Sequence, residues 1–182
     1  MKELIVVKNK KDKIKDYLIY FFTYACIGWI LETIYAFLVH GKFVNRGFLF
    51  GPYCPIYGFG ALILIMLLKN VKGKPIQEFF VAAIAFTIFE YMASYILEVI
   101  FGLRWWDYTD DFLNLQGRVS LAYSILWGLM GIFLIEVMHP FVEKTILKIR
   151  RKIKHKYGNI ILILLVLMLL VDLLFSSVKY LK

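Results

Sequence analysis

Three glutamates, Glu32, Glu90 and Glu98, stand inside long apolar stretches of the chain, and two arginines, Arg46 and Arg118, follow the first and last of them across short polar segments. Carboxylates and guanidiniums in this arrangement have two uses. They can hold a proton, a cation or a polar solute, or they can pair with one another, because the guanidinium fork matches a carboxylate bidentately. An acid within hydrocarbon costs about 2.5–3.5 kcal/mol on insertion scales, so it is kept where it pairs or faces a polar cavity. Glu90, Ser94 and Glu98 recur every four residues and share one helical face. Comparable stripes run through Tyr24, Gly28, Glu32 and Tyr35, and through Ser120, Ser124, Gly128 and Gly131. If the stripes converge, three carboxylates meet Arg46 and Arg118 in an outward-facing polar pocket, with Glu90 deepest and placed for a proton or a cation. The same residues also fit internal ion pairs that fix helix register.

The densest motif runs from Asn45 to Gly60, with four glycines and two prolines in 16 residues, and includes Tyr57. Proline removes a backbone donor and glycine weakens a helix by about 1 kcal/mol, so a broken or re-entrant entry into the next helix is expected. Irregular backbone at membrane depth survives only when protein covers it or it lines an aqueous cavity. The segment therefore reads as site lining or as a tight outer turn with glycines for close packing. A second polar segment carries Arg104, Trp105, Trp106, Asp107 and Tyr108, then Asp110, Asp111, Asn114 and Gln116. Its aromatic residues fit an interfacial belt, and Asp107 and Asn114 beside them fit a lid over a polar or cationic ligand.

The elements that must position these groups are membrane helices. Hydrophobic residues make up 61% of 182 and lie in blocks long enough to cross a bilayer. The expected fold is an all-α polytopic bundle of five transmembrane helices, at residues 17–39, 48–68, 79–101, 119–138 and 159–181. Lysine and arginine number six in residues 1–16, three in 69–78 and seven in 139–158, sixteen against six in the remaining segments. The positive-inside rule then puts the N-terminus in the cytoplasm and the C-terminus outside. This asymmetry also accounts for the net charge of +9 through anionic lipid headgroups, with no nucleic-acid partner and no nucleic-acid-binding motif.

Four parts follow: a cytoplasmic basic arm, 1–16; a four-helix core, 17–138; a basic amphipathic segment lying along the cytoplasmic interface, 139–158; and a fifth helix, 159–182. The core can be read as two similar hairpins, each with a glutamate in the rising helix and an arginine after the outer loop. The fifth helix reads as lipid-facing, with Asp172 placed to hydrogen-bond a neighbouring helix or a second copy. Glu136 reads as a helix-end residue pairing with Lys144 or an interfacial arginine. Cys26 and Cys54 read as small packing residues, and His40, His139 and His155 lie near span ends or in a basic loop, so no metal or other cofactor is expected.

Gly28-Trp29-Ile30-x-Glu32, Asn45-Arg46-Gly47-Phe48-Leu49-x-Gly51-Pro52, Pro55-Ile56-Tyr57-Gly58, Trp106-Asp107-Tyr108, Gly117-Arg118 and Trp127-Gly128 together resemble the bacterial family of ABC-transporter type IV permease-like proteins, over about residues 17 to 142. The resemblance implies a small multi-pass permease-like protein of the bacterial plasma membrane, and marks Glu32, Asn45, Arg46, Gly51, Pro52, Tyr57, Asp107, Arg118 and Trp127. The chain has no phosphate-binding loop, no His-Glu-x-x-His and no Gly-x-Ser-x-Gly. Any ATP-driven step would therefore need a separate ATPase subunit, and five helices favour a homo-oligomer or a partner subunit. The expected function is a transporter-like subunit binding a small polar or charged solute at Glu32, Asn45, Arg46, Tyr57, Glu90, Ser94, Glu98, Asp107, Arg118 and Trp127. A membrane-embedded enzyme acting on a lipid-linked substrate, with Glu32 or Glu98 as general base, and a non-catalytic assembly or sensor protein are the alternatives.

Overall fold

The computed structural model describes residues 10–43, 47–153 and 155–180. Most of the basic arm, including residues 1–9, and the site candidates Asn45 and Arg46 lie outside the described residues. The protein is all-helical. Helix α1 spans Lys10–His40, α2 Pro55–Leu68, α3 Pro75–Phe101, α4 Leu121–Phe133, α5 His139–Lys152 and α6 His155–Tyr180. A short hairpin of β1, Asn114–Leu115, and β2, Val119–Ser120, precedes α4. Four helical rods are long and apolar enough to cross a membrane, and α2 is a shorter apolar helix.

The second membrane element departs from a simple span. Pro55 and Pro52 set a start that glycine-rich chain could not make, and Pro55 occupies the first helical turn, where its missing N–H costs nothing. Residues 47–54 stay non-helical. The backbone N–H of Cys54 donates to the carbonyl of Ala25, halfway along α1, at 3.0 Å. Helix α1 ends at His40, residues 47–54 run without helix to the level of Ala25, and α2 then forms, which at 14 residues is about 21 Å long against a hydrocarbon core of about 30 Å. The start expected at residue 48 moves to Pro55, for the reason the Gly/Pro run supplied.

The boundary expected at residue 138 is absent. Helix α4 passes through a π turn, Leu134–Met138, directly into α5, giving one rod from Leu121 to Lys152. Pro140 explains the turn: it has no N–H and its ring crowds the carbonyl four residues back, so the helix widens locally and His139 N–H reaches Leu134, five residues back. The basic segment is thereby an extension of the fourth rod up to Lys152. It leans on α1 through Tyr24 Oη to His139 Nδ1 at 3.0 Å, Tyr20 Oη to Glu143 at 3.4 Å, and an Asp16–Arg150 ion pair.

Close packing rests on missing side chains. A Cβ at Gly28 would overlap the Tyr57 ring, and one at Gly131 would overlap the Cβ of Ala82. Lipid offers no hydrophobic drive between helices, so such small residues let α1 meet α2, and α3 meet α4, at van der Waals range. The core between them gathers Tyr24, Ala61, Leu64, Leu68, Phe86 and Ile135.

Three acids, Glu78, Glu136 and Asp172, also knit elements together. Glu78 is fully buried, and its Oε1 accepts the Gly73 N–H at 2.7 Å. Glu136 accepts the same N–H at 2.9 Å, so it fastens the α2–α3 turn to the π turn and does not take the lysine partner expected of it. Asp172 of α6 accepts from the backbone N–H groups of Phe50 and Gly51 at 3.0 and 2.8 Å, from Tyr53 at 2.9 Å and from Ser176 at 3.0 Å.

Gly131→Val should push rigid α4 backbone off Ala82 and cost about 1–3 kcal/mol. Gly158→Ala, where a Cβ meets nothing within 4 Å, should leave stability unchanged or slightly raised. Thermal unfolding of the two purified variants in detergent checks the contrast.

Candidate functional site

The buried face of α3 carries Glu78, Ala82, Phe86, Glu90 and Ser94 at four-residue intervals. Its C-terminal half builds the site. Glu90 is 5% exposed. Its Oε2 accepts the Trp127 indole N–H at 3.0 Å and its Oε1 the Tyr108 hydroxyl at 3.0 Å. Trp127 comes from α4 and packs on Phe86 at 4.2 Å between ring centroids. Tyr108 comes from the loop between α3 and the hairpin and stacks on Tyr123, with centroids 4.2 Å apart. Both donors are neutral, and no Lys or Arg pairs with Glu90 among the described residues.

One turn outward, Arg118 is 7% exposed and links Ser94 Oγ at 3.2 Å with Glu98 Oε2 at 2.5 Å. Arg104 holds the other oxygen of Glu98 at 3.0 Å. The rings of Tyr91 and Tyr95 face the Arg118 guanidinium at 5.9 and 5.4 Å, within cation–π range. Its Nε is buried without a hydrogen-bond partner among the described residues. The hairpin aims this arginine inward: Gln116 and Gly117 have φ of 56° and 67°, which closes the turn, and Arg118 N–H bonds Leu115 at 3.1 Å. The Trp106 indole clamps the Arg118 carbonyl at 3.0 Å.

On the α1 side, Glu32 accepts the Tyr57 hydroxyl, and Tyr57 itself lies over Gly28. Tyr108 is within electrostatic range of Tyr57, and Tyr123 of both Glu32 and Glu90, so the α1–α2 pair lies near the α3–α4 group. Of the site candidates from sequence, Glu32, Tyr57, Glu90, Ser94, Glu98, Arg118 and Trp127 are thus brought together.

Asp107 stands apart from these contacts. Its Oδ1 accepts the backbone N–H of Thr109 at 3.0 Å and its hydroxyl at 2.5 Å. Those bonds to Thr109, the hydroxyl first, hold the Asp107 carboxyl below the usual carboxylate range. Asn114 similarly bonds the carbonyls of Thr109 and Asp111 and the N–H of Gly117, so both polar side chains maintain the loop's shape. The residue that the loop presents to the cluster is Tyr108, which sequence reasoning passed over for its neighbour Asp107. Arg104, the second partner of Glu98, was also passed over. The available signal was position: Tyr108 adjoins Asp107 in the Trp-Asp-Tyr motif, and Arg104 lies six residues after Glu98.

Two cavities among the described residues lie away from this cluster. One, about 610 Å³, opens between residues 50–53 and α6 beside Asp172. The other, about 550 Å³, opens between α1, α5 and α6.

Tyr108 of the Trp-Asp-Tyr motif and Trp127 of the Trp-Gly motif therefore meet at the buried Glu90, and a family model described as "Putative ABC-transporter type IV" matches residues 19–177. The chain belongs to that family. It is a membrane protein of transporter-like type. The match extends beyond α5 and takes in Asp172, so α6 is part of the family's shared unit. No curated protein and no solved structure matches the chain.

Burial, and then the charge and hydrogen bond of Glu90, push the Tyr108 phenol above its ordinary value of 10. A raised value in the folded state contributes stability that is present below pH 10 and is lost as pH rises beyond it. Tyr108→Phe removes a donor to a buried carboxyl and should cost about 1.5–3 kcal/mol near neutrality. The gap between variant and wild type in thermal unfolding should narrow in strongly alkaline buffer.

Proposed function

We propose that this chain is a permease-like subunit of the bacterial plasma membrane, with its N-terminus cytoplasmic, whose outer cluster binds a proton or a small cationic solute at Glu90. One observation carries the reading: Glu98 is balanced by two arginines, whereas Glu90, the more deeply buried acid, has among the described residues the neutral donors Trp127 and Tyr108 and no cationic partner. A carboxylate held in low dielectric without a counter-ion is costly, and a bound positive charge removes that cost. Indole and phenol orient the two oxygens and leave the charge to the ligand.

Arg118 and Glu98 form the neighbouring wall. Ser94 and the flanking tyrosines hold the guanidinium in place, so it stays beside Glu98 and does not neutralise Glu90. Glu32 and Tyr57 close the opposite side. Tyr108 sits on a loop outside the helices and covers Glu90, so access from the outer face requires that loop to shift. The chain carries no phosphate-binding loop, and energy would come from a separate ATPase subunit or an ion gradient.

Reconstituted in liposomes containing a pH-sensitive dye, the wild-type protein should pass protons or a small organic cation such as methylammonium under an imposed potential. Glu90→Gln should reduce that flux to the background of empty liposomes while retaining the wild-type elution profile. Trp127→Phe should weaken it and abolish the indole fluorescence change that accompanies ligand uptake. Undiminished flux through folded Glu90→Gln would refute the assignment.

A further inference from the structure

The 550 Å³ cavity lies at the opposite, basic end of the bundle, and each of its walls changes character in the same direction. On α1, Lys15 is at the end, with Ile19 and Phe22 one and two turns deeper. On α6, Gly158 and Asn159 are at the end, and Leu162 and Leu165 are deeper. On α5, which runs the other way, Arg150 is at the end and Ile146 is deeper. Lys15, Arg150 and Asn159 thus gather toward the mouth, where Ile149 and Ile153 also stand, and the deeper wall is apolar apart from Thr23. The slot is amphipathic along its length, which distinguishes it from an ordinary apolar groove.

The charge at the mouth has a definite sign. Lys15 is half-buried in the wall, and Arg150 is paired with Asp16 while keeping 35% of its side chain exposed. Arg151 and Lys152 continue the basic run on the exposed side of α5. Among the described side chains, Asp16 against Lys15, Arg150, Arg151 and Lys152 leaves a positive rim over an apolar trough, at the ends of the apolar helices that begin near Lys13 and Tyr157.

We propose that this slot is a binding site for one anionic glycerophospholipid, its headgroup phosphate on Lys15 and Arg150 and an acyl chain along Ile19, Phe22, Leu162 and Leu165. Basic recesses between membrane helices recognise anionic headgroups in this way, each basic residue near the surface contributing a modest electrostatic term. The bound lipid would fill the gap between α6 and the rest of the bundle at the end opposite Asp172, so α6 would be held by a hydrogen-bonded carboxylate at one end and by lipid at the other. The site is independent of the Glu90 cluster, and its test needs no transport assay.

Native mass spectrometry of the full-length protein, stripped of lipid in detergent, provides the test. Titration with phosphatidylglycerol should yield one retained lipid per chain, at lower concentration than phosphatidylcholine with the same acyl chains; inorganic phosphate should not compete, since it lacks the apolar part. Lys15→Gln should weaken phosphatidylglycerol retention about fivefold while leaving phosphatidylcholine unaffected. Arg150 is left intact because it pairs with the buried Asp16. Thr23→Trp, which projects a ring into the slot, should abolish retention without lowering the thermal midpoint of the lipid-free protein. Equal retention of the two lipids, no effect of Lys15→Gln, or undiminished binding to Thr23→Trp would each overturn the proposal.

Discussion

Glu78 and Glu90 are buried among apolar helices, Glu32, Glu98 and Asp172 are half-buried and Glu136 is exposed on the same helices, and each needs donors within the protein. That requirement organises the structure. Glu90 draws Trp127 of α4 and Tyr108 of the outer loop onto α3. Glu32 draws Tyr57 of α2 onto α1. Glu78 and Glu136 converge on one backbone N–H at Gly73. In lipid, where apolar contact between helices gains little over apolar contact with tails, such bonds and small-residue packing specify which helices meet and in what register.

The backbone of residues 47–54 poses the converse problem, because here N–H groups need acceptors at membrane depth. Asp172 meets it by accepting from two successive N–H groups and a tyrosine, and Ala25 supplies a carbonyl to Cys54. Helix α6 otherwise touches the bundle through a few residues such as Leu162 against Phe21 and Phe22. Its single acid is therefore the reason the broken segment is covered, and the reason the most lipid-exposed helix belongs to the same unit as the site.

Features set by local pattern were legible in the sequence. The apolar blocks gave the long helices, the four-residue spacing of Glu90, Ser94 and Glu98 gave the polar face, and the prolines and glycines gave the broken entry to α2. Features set by distant partners were not. Asp172 was readable as a hydrogen-bonding acid, but not its partners in the broken segment, because they lie about 120 positions away and two of them are backbone groups, which leave no mark in composition. Tyr108 looked like interfacial belt because belt and donor use the same residue type. The π turn was concealed because Pro140 ordinarily ends a helix, whereas here it only widens one. Arg46, paired with Glu32 by sequence symmetry, lies outside the described residues.

The contrast between Glu90 and Glu98 bears most directly on mechanism. A protein needing only to stabilise two acids on one helix face has in Arg118 a guanidinium able to reach past Ser94, yet Arg118 is held at the outer turn by the Trp106 clamp, the hairpin and Glu98. Tyr91 and Tyr95 further fix its plane. The deeper acid is therefore kept from its nearest cation and given donors that bind its oxygens without cancelling its charge. Purely structural stitching would gain from a bridging arginine, and a binding site would lose its affinity for positive charge to one. Among the described residues, the cover over Glu90 that is not part of a membrane helix is the Tyr108 ring, borne on a loop whose shape Asp107 and Asn114 maintain.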